Sequence, residues 1–143
     1  LTQPQSMPDK FHSGTVNAPA WAGLKKGMDF VLKEGVDVIG AHEHELNTKL
    51  RDNFMNMDKI RVYGKNDTSI TAFNILGMGS EEVASHFNNE FIVRAGYHCA
   101  PLAHKALGTD STGAVRVSFG YFNTTKDVSS ITDAVYKITR ELS

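Results

Sequence analysis

Residues 60–75 have the sequence IRVYGKNDTSITAFNI, and this stretch decides the fold class. Two runs rich in β-branched and aromatic residues, 60–63 and 69–75, lie on either side of the turn-forming sequence Gly64-Lys65-Asn66-Asp67. Runs of this composition, bounded by glycine, asparagine and aspartate, are typical of β-strands joined by a turn. The sequence therefore predicts two short strands near the middle of the chain.

Two helices are predicted before these strands. Residues 19–34 carry apolar side chains at steps of three and four, which is the helical period, and Gly35 is placed to end that helix. Residues 37–57 repeat the pattern, with one apolar face and a charged face that we expect to be left mostly to solvent. The apolar positions are Trp21, Leu24, Met28 and Val31 in the first helix and Ile39, Leu46, Leu50, Phe54 and Met57 in the second, and the charged positions of the second are Glu43, Glu45, Lys49, Arg51 and Asp52.

After residue 76 the predicted helices alternate with short strands. Ser80 offers a capping hydroxyl and is followed by two acidic residues, which predicts a helix from Ser80 to near Asn88-Asn89. Thr124 and Asp127 form a capping-box pattern in front of the last helix. The other predictions are strands at 91–93 and 114–119, a short helix at 102–107, and a last helix with apolar residues Val128, Ile131, Val135, Ile138 and Leu142.

This order of elements predicts an α+β domain in which a small sheet has helices packed on one face. We expect the first helix to project from that unit, because Gly23 and Gly27 suit close packing against another body. The polar, proline-containing start of the chain resembles a linker, so residues 1–18 are expected to be a linker and lead-in, and residues 19–143 the domain. This start raises the hypothesis that the chain is a piece of a longer protein.

The composition is that of a globular domain. The chain has 143 residues, of which 41% are hydrophobic and 22% charged, enough to bury a core without disulfides. A formal net charge of -1 argues against nucleic acid or an anionic membrane as a partner. The single cysteine excludes a disulfide framework and multi-cysteine metal sites. The sequence has no apolar run of about 18 residues and no secretory leader, so we expect a soluble, cytoplasmic protein.

Two short motifs have the wrong spacing for the chemistry they suggest. His42 and His44 are two residues apart, whereas two metal ligands on one helix face must be three or four apart, so no metal site is predicted. The sequence Gly77-Met78-Gly79 lacks the third glycine of a dinucleotide-binding fingerprint, and a turn before a helix explains it.

Residues 94–101, RAGYHCAP, are the strongest candidate for chemistry. Cys99 follows a predicted strand, with His98 beside it and Arg94 five residues before it. Nearby positive charge favours the thiolate, which is the reactive form of cysteine, and Gly96 allows a tight backbone path. From these residues alone, Cys99 is either a reactive nucleophile in a loop or an inert small hydrophobe.

Residues 93–128 resemble the C-terminal part of class V aminotransferase-fold enzymes, specifically the cysteine desulfurase and selenocysteine lyase group. The resemblance extends to residues 11–17, FHSGTVN, and to His42-Glu43 in the second helix. It implies the C-terminal small domain of a fold-type I transferase that depends on pyridoxal 5′-phosphate (PLP), and the loop resembles that of the short-loop branch. The matching positions are Arg94, Gly96, His98-Cys99-Ala100-Pro101, His104, Gly108-Thr109 and residues 115–124.

The resemblance implies a homodimeric PLP enzyme that acts on L-cysteine or L-selenocysteine. It implies that Cys99 attacks the substrate sulfur and becomes a persulfide, and that Arg116 pairs with the substrate carboxylate. Arg94 and His98 are implied to lie near the substrate. A sulfur-acceptor protein is a further implied partner.

Gly14 and Thr15 resemble the pair that reaches the cofactor phosphate of the neighbouring subunit. The family's cofactor lysine lies in a large domain that these residues do not match, and Lys105, downstream of Cys99, is not that lysine. We therefore expect the chain alone to be inactive and unable to hold PLP stably without its own large domain. Two alternatives remain: another class V enzyme, such as an aminotransferase or epimerase, in which Cys99 is incidental, and a stand-alone sulfur carrier.

Overall fold

The computed structural model describes Thr2 and residues 4–12, 14–87 and 90–141. In these ranges the chain forms five α-helices, three β-strands and a short 3-10 helix at Asp9–Phe11. None of the described helices is both long and apolar enough to span a bilayer. The helices are α1 (Ala18–Glu34), α2 (Val36–Met55), α3 (Ser80–His86), α4 (Pro101–Leu107) and α5 (Thr125–Glu141), and the strands are β1 (Ile60–Tyr63), β2 (Ile70–Ile75) and β3 (Val115–Ser118).

The chain divides into two compact units, Leu1–Val36 and Asp37–Ser143. In the first unit Asn17 caps α1, because its side-chain oxygen accepts an N–H of the first turn at 3.0 Å. Gly35 ends α1 as predicted, with a φ of 88° that favours glycine. The domain boundary expected after residue 18 stays a prediction.

The apolar side chains predicted on α1 are mostly exposed. Trp21, Leu24 and Met28 keep more than half of their surface accessible. A Cβ added at Gly23 or Gly27 would meet no described atom within 4 Å. The periodicity thus predicted the helix correctly, and its apolar stripe is a surface of the kind that a partner covers.

The second unit contains an antiparallel sheet with the order β1-β2-β3. The register pairs Val62 with Phe73 and Phe73 with Val115, so these side chains share one face of the sheet. The alternate residues Ala72 and Arg116 are paired on the opposite face. We call the face of Phe73 the core face and the face of Arg116 the open face.

Helices pack on the core face and bury its apolar side chains. Leu50 and Phe54 of α2 are fully buried, and the ring of Phe54 lies 4.7 Å from that of Phe73. Burying one such side chain stabilises the fold by about 1.5–3 kcal/mol. The prediction of an α+β fold with helices on one face of a small sheet is therefore confirmed. The rest of this core includes Leu46, Ile75, Val83, Phe87, Val115, Val117, Val128, Ile131, Val135 and Ile138.

Two polar side chains of α2 bind the segment that joins β1 to β2. Asn47 is fully buried, accepts a hydrogen bond from the Thr71 hydroxyl at 2.6 Å, and donates one to the Thr68 carbonyl at 2.9 Å. Arg51, expected on the solvent face, is only 7% exposed and donates to two consecutive carbonyls at the end of β1. That expectation was wrong because turn carbonyls need partners and a guanidinium fork can bind both.

Residues 91–93 do not form the predicted strand. Phe91 and Val93 pack against the core while Ile92 is exposed, so the alternation typical of a strand is present. In this part of the described chain Arg94 alone pairs with β3, through an isolated bridge to Arg116. The alternating pattern correctly indicates which of these side chains are buried. It does not indicate whether the backbone pairs with a neighbouring strand.

Of the capping-box pattern before α5, the hydrogen bond made by Asp127 is confirmed. The Asp127 carboxylate accepts the Thr124 N–H at 2.7 Å. The predicted end of the third helix at Asn88-Asn89 and the apolar position Leu142 lie outside the described residues.

We expect Asn47→Ala to lower the free energy of unfolding by about 2–3 kcal/mol, because it leaves the buried Thr71 hydroxyl and Thr68 carbonyl unpaired. Urea unfolding followed by circular dichroism measures this. Asn53→Ala, an exposed position on the same helix, is the control and should change stability by less than about 0.5 kcal/mol. Equal effects of the two substitutions would contradict the role of Asn47.

Candidate functional site

Two arginines lie side by side on the open face of the sheet. Arg94 and Arg116 exchange both backbone hydrogen bonds, with N···O distances of 3.2 and 2.7 Å, and are directly opposite each other. Directly opposite side chains lie on the same face with Cβ atoms about 5 Å apart. Because like charges at this spacing repel, a bound anion would stabilise the pair.

Arg116 carries an unpaired donor. Its side chain is half-buried, and its buried Nε has no hydrogen-bond partner among the residues that the structure describes. Buried donors without a partner are rare, because losing hydration is unfavourable. A guanidinium also presents its donors in a planar fork that matches a carboxylate. Arg116 is therefore suited to binding a carboxylate group next to β3.

The loop that carries Cys99 is fixed at its base by Gly96. The Gly96 N–H donates to Ser80 Oγ at 3.2 Å, and the Gly96 carbonyl accepts the Ala114 N–H at 3.1 Å. Gly113 passes so close that a Cβ on it would lie 2.8 Å from Gly96 Cα and from Ser80 Oγ. Its φ is also positive, at 64°, so this position requires glycine on both grounds.

Ser80 has a different role from the one the sequence predicts. It is the first residue of α3 rather than its cap, and no side-chain cap is found at that end of the described helix. Its buried hydroxyl donates to the Thr112 carbonyl at 2.8 Å and accepts the Gly96 N–H. Ser80 therefore joins α3 to both chain segments at the base of the loop. These contacts span 16 and 32 residues in sequence, so no local pattern carries them.

His98 and Cys99 both have left-handed backbone conformations, with φ values of 51° and 58°. Residues with a Cβ adopt this region at a cost of about 1–2 kcal/mol each, so the surrounding structure must hold them there. His98 Nε2 provides one support by donating to the Ala114 carbonyl at 3.1 Å. The resulting turn presents Cys99 on the surface, where it is exposed. Cys99 is therefore not the buried, inert residue of the second interpretation, and its role as a nucleophile stays a prediction.

The surroundings of the loop lower the pKa of His98. Burial is the main cause that lowers the pKa of His98, and the hydrogen bond to the Ala114 carbonyl partly opposes it. The positive charges of Arg116 and Arg94 lower the pKa further. The structure thus brings together four of the predicted site residues, Arg94, His98, Cys99 and Arg116.

The two predicted phosphate-contacting residues lie in the first compact unit. Gly14 and Thr15 are exposed immediately before α1 and line a cleft with Phe11, Asn17 and Trp21. Positions at the start of a long helix are of the kind that binds phosphate, since backbone N–H groups and the helix dipole favour anions.

Within the described ranges no group of three or more His, Cys, Asp or Glu could hold a metal ion. His42 has another contact: its Nε2 donates to the Asn123 carbonyl at 2.9 Å, and its ring lies 6.0 Å from that of Tyr121. His44 is exposed on the same helix. Of these two histidines, His42 is the one that links α2 to the segment before α5.

Sequence reasoning missed several residues that shape the site. Gly113 and the bridging role of Ser80 were not predicted, and His104 and Thr109 were matched to a motif without a role. A glycine directly before a predicted strand is a signal for close backbone approach, and it could have indicated Gly113. The partners of Ser80 and His104 could not be found in this way, because they are tertiary contacts.

We expect His98 to titrate below the range of an unperturbed histidine, and Arg116→Gln to raise its pKa because a nearby positive charge is removed. NMR of the His98 side chain against pH measures both effects. Arg61→Gln, in β1 on the same open face, is the control and should leave the titration unchanged. A His98 pKa at or above that of a histidine in an unfolded peptide would contradict the description of this loop.

Residues 2–131 match the model of the Aminotransferase class-V family. The chain is 34% identical over 137 residues to a probable cysteine desulfurase of Mycolicibacterium paratuberculosis, a match that covers 94% of this chain and 20% of that protein. The fold is similar to the apo cysteine desulfurase of Thermococcus onnurineus NA1, with a TM-score of 0.84, 26% identity, and coverage of 94% of this chain and 34% of that one. The cysteine desulfurase CsdA of Escherichia coli gives a TM-score of 0.84 and 27% identity, covering 96% of this chain and 34% of that one.

These comparisons agree with the architecture of a small α+β part of a fold-type I enzyme. The chain spans 20% to 35% of the length of the curated relatives that it matches. Since the family match covers residues 2–131 of the 143, the chain belongs to the aminotransferase class-V family.

Proposed function

We propose that this chain is the C-terminal part of a PLP-dependent cysteine desulfurase of the short-loop branch. In that enzyme Cys99 takes the sulfur of L-cysteine as a persulfide, and L-alanine is released. The similar proteins described above carry the name cysteine desulfurase, and this chain covers about a third of the solved ones. A larger domain of the same protein would therefore complete the site.

One arrangement carries the proposal: an exposed nucleophile beside an unpaired carboxylate-binding donor. Cys99 is exposed at the tip of a loop whose base is bonded next to β3, and Arg116 in β3 has a buried Nε without a partner in the described chain. L-Cysteine has both complementary groups, a carboxylate for the guanidinium and a sulfur for the thiolate. A sulfur carrier would need no carboxylate site, so Arg116 favours an enzyme.

The described residues fit a position beside PLP. Arg116 would hold the substrate carboxylate, and Arg94 would add positive charge on the same face of the sheet. Gly14 and Thr15 would contact the cofactor phosphate in a neighbouring subunit, so the proposed enzyme is a homodimer. Lys105 is exposed on α4 and is not proposed to bind the cofactor. When bound, PLP supplies the electron sink that makes cleavage of the substrate Cβ–S bond feasible.

Cys99 performs the sulfur transfer. Its thiolate attacks the sulfur of L-cysteine, so that an S–S bond forms while the Cβ–S bond breaks. The electron pair of the broken bond stays with the substrate carbon, which takes up a proton and leaves as L-alanine. The persulfide on exposed Cys99 is then open to attack by the thiol of a sulfur-acceptor protein. L-Selenocysteine offers the same carboxylate and a heavier chalcogen, and it is the alternative substrate.

We expect Cys99→Ser to abolish persulfide formation and to lower alanine release by at least about 100-fold, because a hydroxyl is a poor nucleophile near neutral pH. The measurement uses the full-length enzyme with PLP and L-cysteine, with alanine quantified by chromatography and persulfide by cyanolysis. Unchanged alanine release would show that Cys99 is incidental, and no alanine release by either protein would indicate another class V reaction. The 143-residue chain alone should release no alanine.

We expect Arg116→Gln to lower kcat/KM for L-cysteine by about 10- to 150-fold, mainly through KM, because a charge-assisted hydrogen bond to the carboxylate is worth about 1.5–3 kcal/mol. Steady-state kinetics of the full-length enzyme measure this. Arg61→Gln is the matched control, since Arg61 is exposed on the same face and stacks on Tyr63. If both substitutions had the same effect, a general loss of charge would explain the result and the carboxylate assignment would be wrong.

A further inference from the structure

We propose that the buried pair His104 and Thr109 is a positioning device that holds the loop residues 97–99 for sulfur transfer by Cys99. Both residues act through Tyr97 and His98, and neither is proposed to touch the substrate. The inference rests on the proposed function and adds two residues to it.

The end of α4 builds the pair. Gly108, with a φ of 69°, ends the helix, and the Thr109 N–H donates to the His104 carbonyl at 2.9 Å. A bond of this kind, from a residue just past the helix back to its last turn, belongs to the Schellman motif. It brings the Thr109 side chain to the His104 ring, where Oγ1 and Nδ1 share a hydrogen bond of 2.7 Å. Thr109 is 0% exposed and His104 is 4% exposed.

The His104 ring supports the loop from the inside. The ring of Tyr97 meets it edge-on with centroids 5.5 Å apart, and the ring of His98 lies 5.9 Å away at a tilt of 33°. His98 and Cys99 hold left-handed conformations that persist only with such support. The orientation of the His104 ring is therefore coupled to the presentation of Cys99.

A hydrogen-bonded pair can fix the orientation of the buried His104 ring, whereas apolar side chains at the same place could not. The terminal ring torsion of a histidine is broad unless a contact fixes it, and the Thr109 hydroxyl supplies a directional contact inside a buried site. A directional hydrogen bond inside a buried site favours a single arrangement of the groups around it. The pair thus gives the loop one inner surface to rest against, while Cys99 at the tip stays exposed.

The test uses the full-length, PLP-loaded enzyme and three threonine substitutions. Thr109→Val removes the hydroxyl at nearly constant volume, and Thr109→Ser restores it. Thr71→Val is the matched control, because Thr71 is also fully buried and its hydroxyl donates to Asn47 at 2.6 Å, on the core face of the sheet. Amide hydrogen exchange of residues 97–100 reports the loop, and single-turnover persulfide formation reports the transfer step.

We expect Thr109→Val to speed exchange of residues 97–100 by at least tenfold and to slow persulfide formation by at least tenfold, with KM for L-cysteine changed less than twofold. Thr109→Ser should restore both. Thr71→Val should lower the melting temperature without either effect. If Thr109→Val and Thr71→Val gave the same exchange and transfer rates, the positioning role would be overturned.

A second variant covers the case in which Thr109→Val does not fold. His104→Phe keeps a ring between Tyr97 and His98 and removes the hydrogen bond, so it should also speed exchange of residues 97–100, and unchanged exchange would overturn the proposal. Failure of the proposed function has a different signature. Full alanine release by Cys99→Ser would reject Cys99 as the sulfur acceptor, whereas the exchange rates would still decide whether the pair holds the loop.

Discussion

The backbone pairing of Arg94 with Arg116 is the interaction on which the candidate site depends. Two hydrogen bonds, of 3.2 and 2.7 Å, attach the segment before the Cys99 loop to the outer edge of β3, and the Gly96 carbonyl accepts the Ala114 N–H beside them. The same register places both guanidinium groups on the open face and brings Gly96 against Gly113 two residues further along. A shift of one residue would send the Arg94 side chain to the opposite face, so the position of the charge and the position of the loop are set together.

The two faces of the sheet have different tasks. The core face buries apolar side chains from the helices and from all three strands, and the buried contacts of Asn47 and Arg51 hold α2 to the β1–β2 connection. The open face carries Arg61, Arg94 and Arg116 and fewer apolar side chains than the core face. This separation lets the open face keep an unpaired Arg116 donor that would be unfavourable inside the core.

The Cys99 loop combines a fixed base with an exposed tip. Ser80, Gly96 and Gly113 fix the base through short contacts, and His98 bonds the Ala114 carbonyl. The strained conformations at His98 and Cys99 are then supported from two sides, and the exposed thiol of Cys99 extends beyond them. The chain belongs to the class-V family and its fold is similar to that of a longer cysteine desulfurase. In the proposed enzyme the remaining groups of the site would come from elsewhere in the protein.

The elements with a local periodicity can be predicted from the sequence alone. The helical stripe of α5, the glycine that ends α1 and the two strands of residues 60–75 follow from side-chain spacing and turn residues, and the structure has each of them. The order of Arg94, His98, Cys99 and Arg116 identified the family-like loop before any geometry was known. Local patterns suffice here because each depends on residues no more than a few positions apart.

The hydrogen-bond partners of the backbone donors and acceptors are visible in the tertiary structure alone. It shows that residues 91–93 have the alternation of a strand but form no backbone pairing of their own. It also shows that Arg51 is buried against turn carbonyls, and that Ser80 bridges two distant segments instead of capping α3. It also placed Thr109 against His104 inside the loop. The physical reason is that a hydrogen bond depends on which groups meet in space, and chain folding brings together groups that the spacing of residue types does not relate.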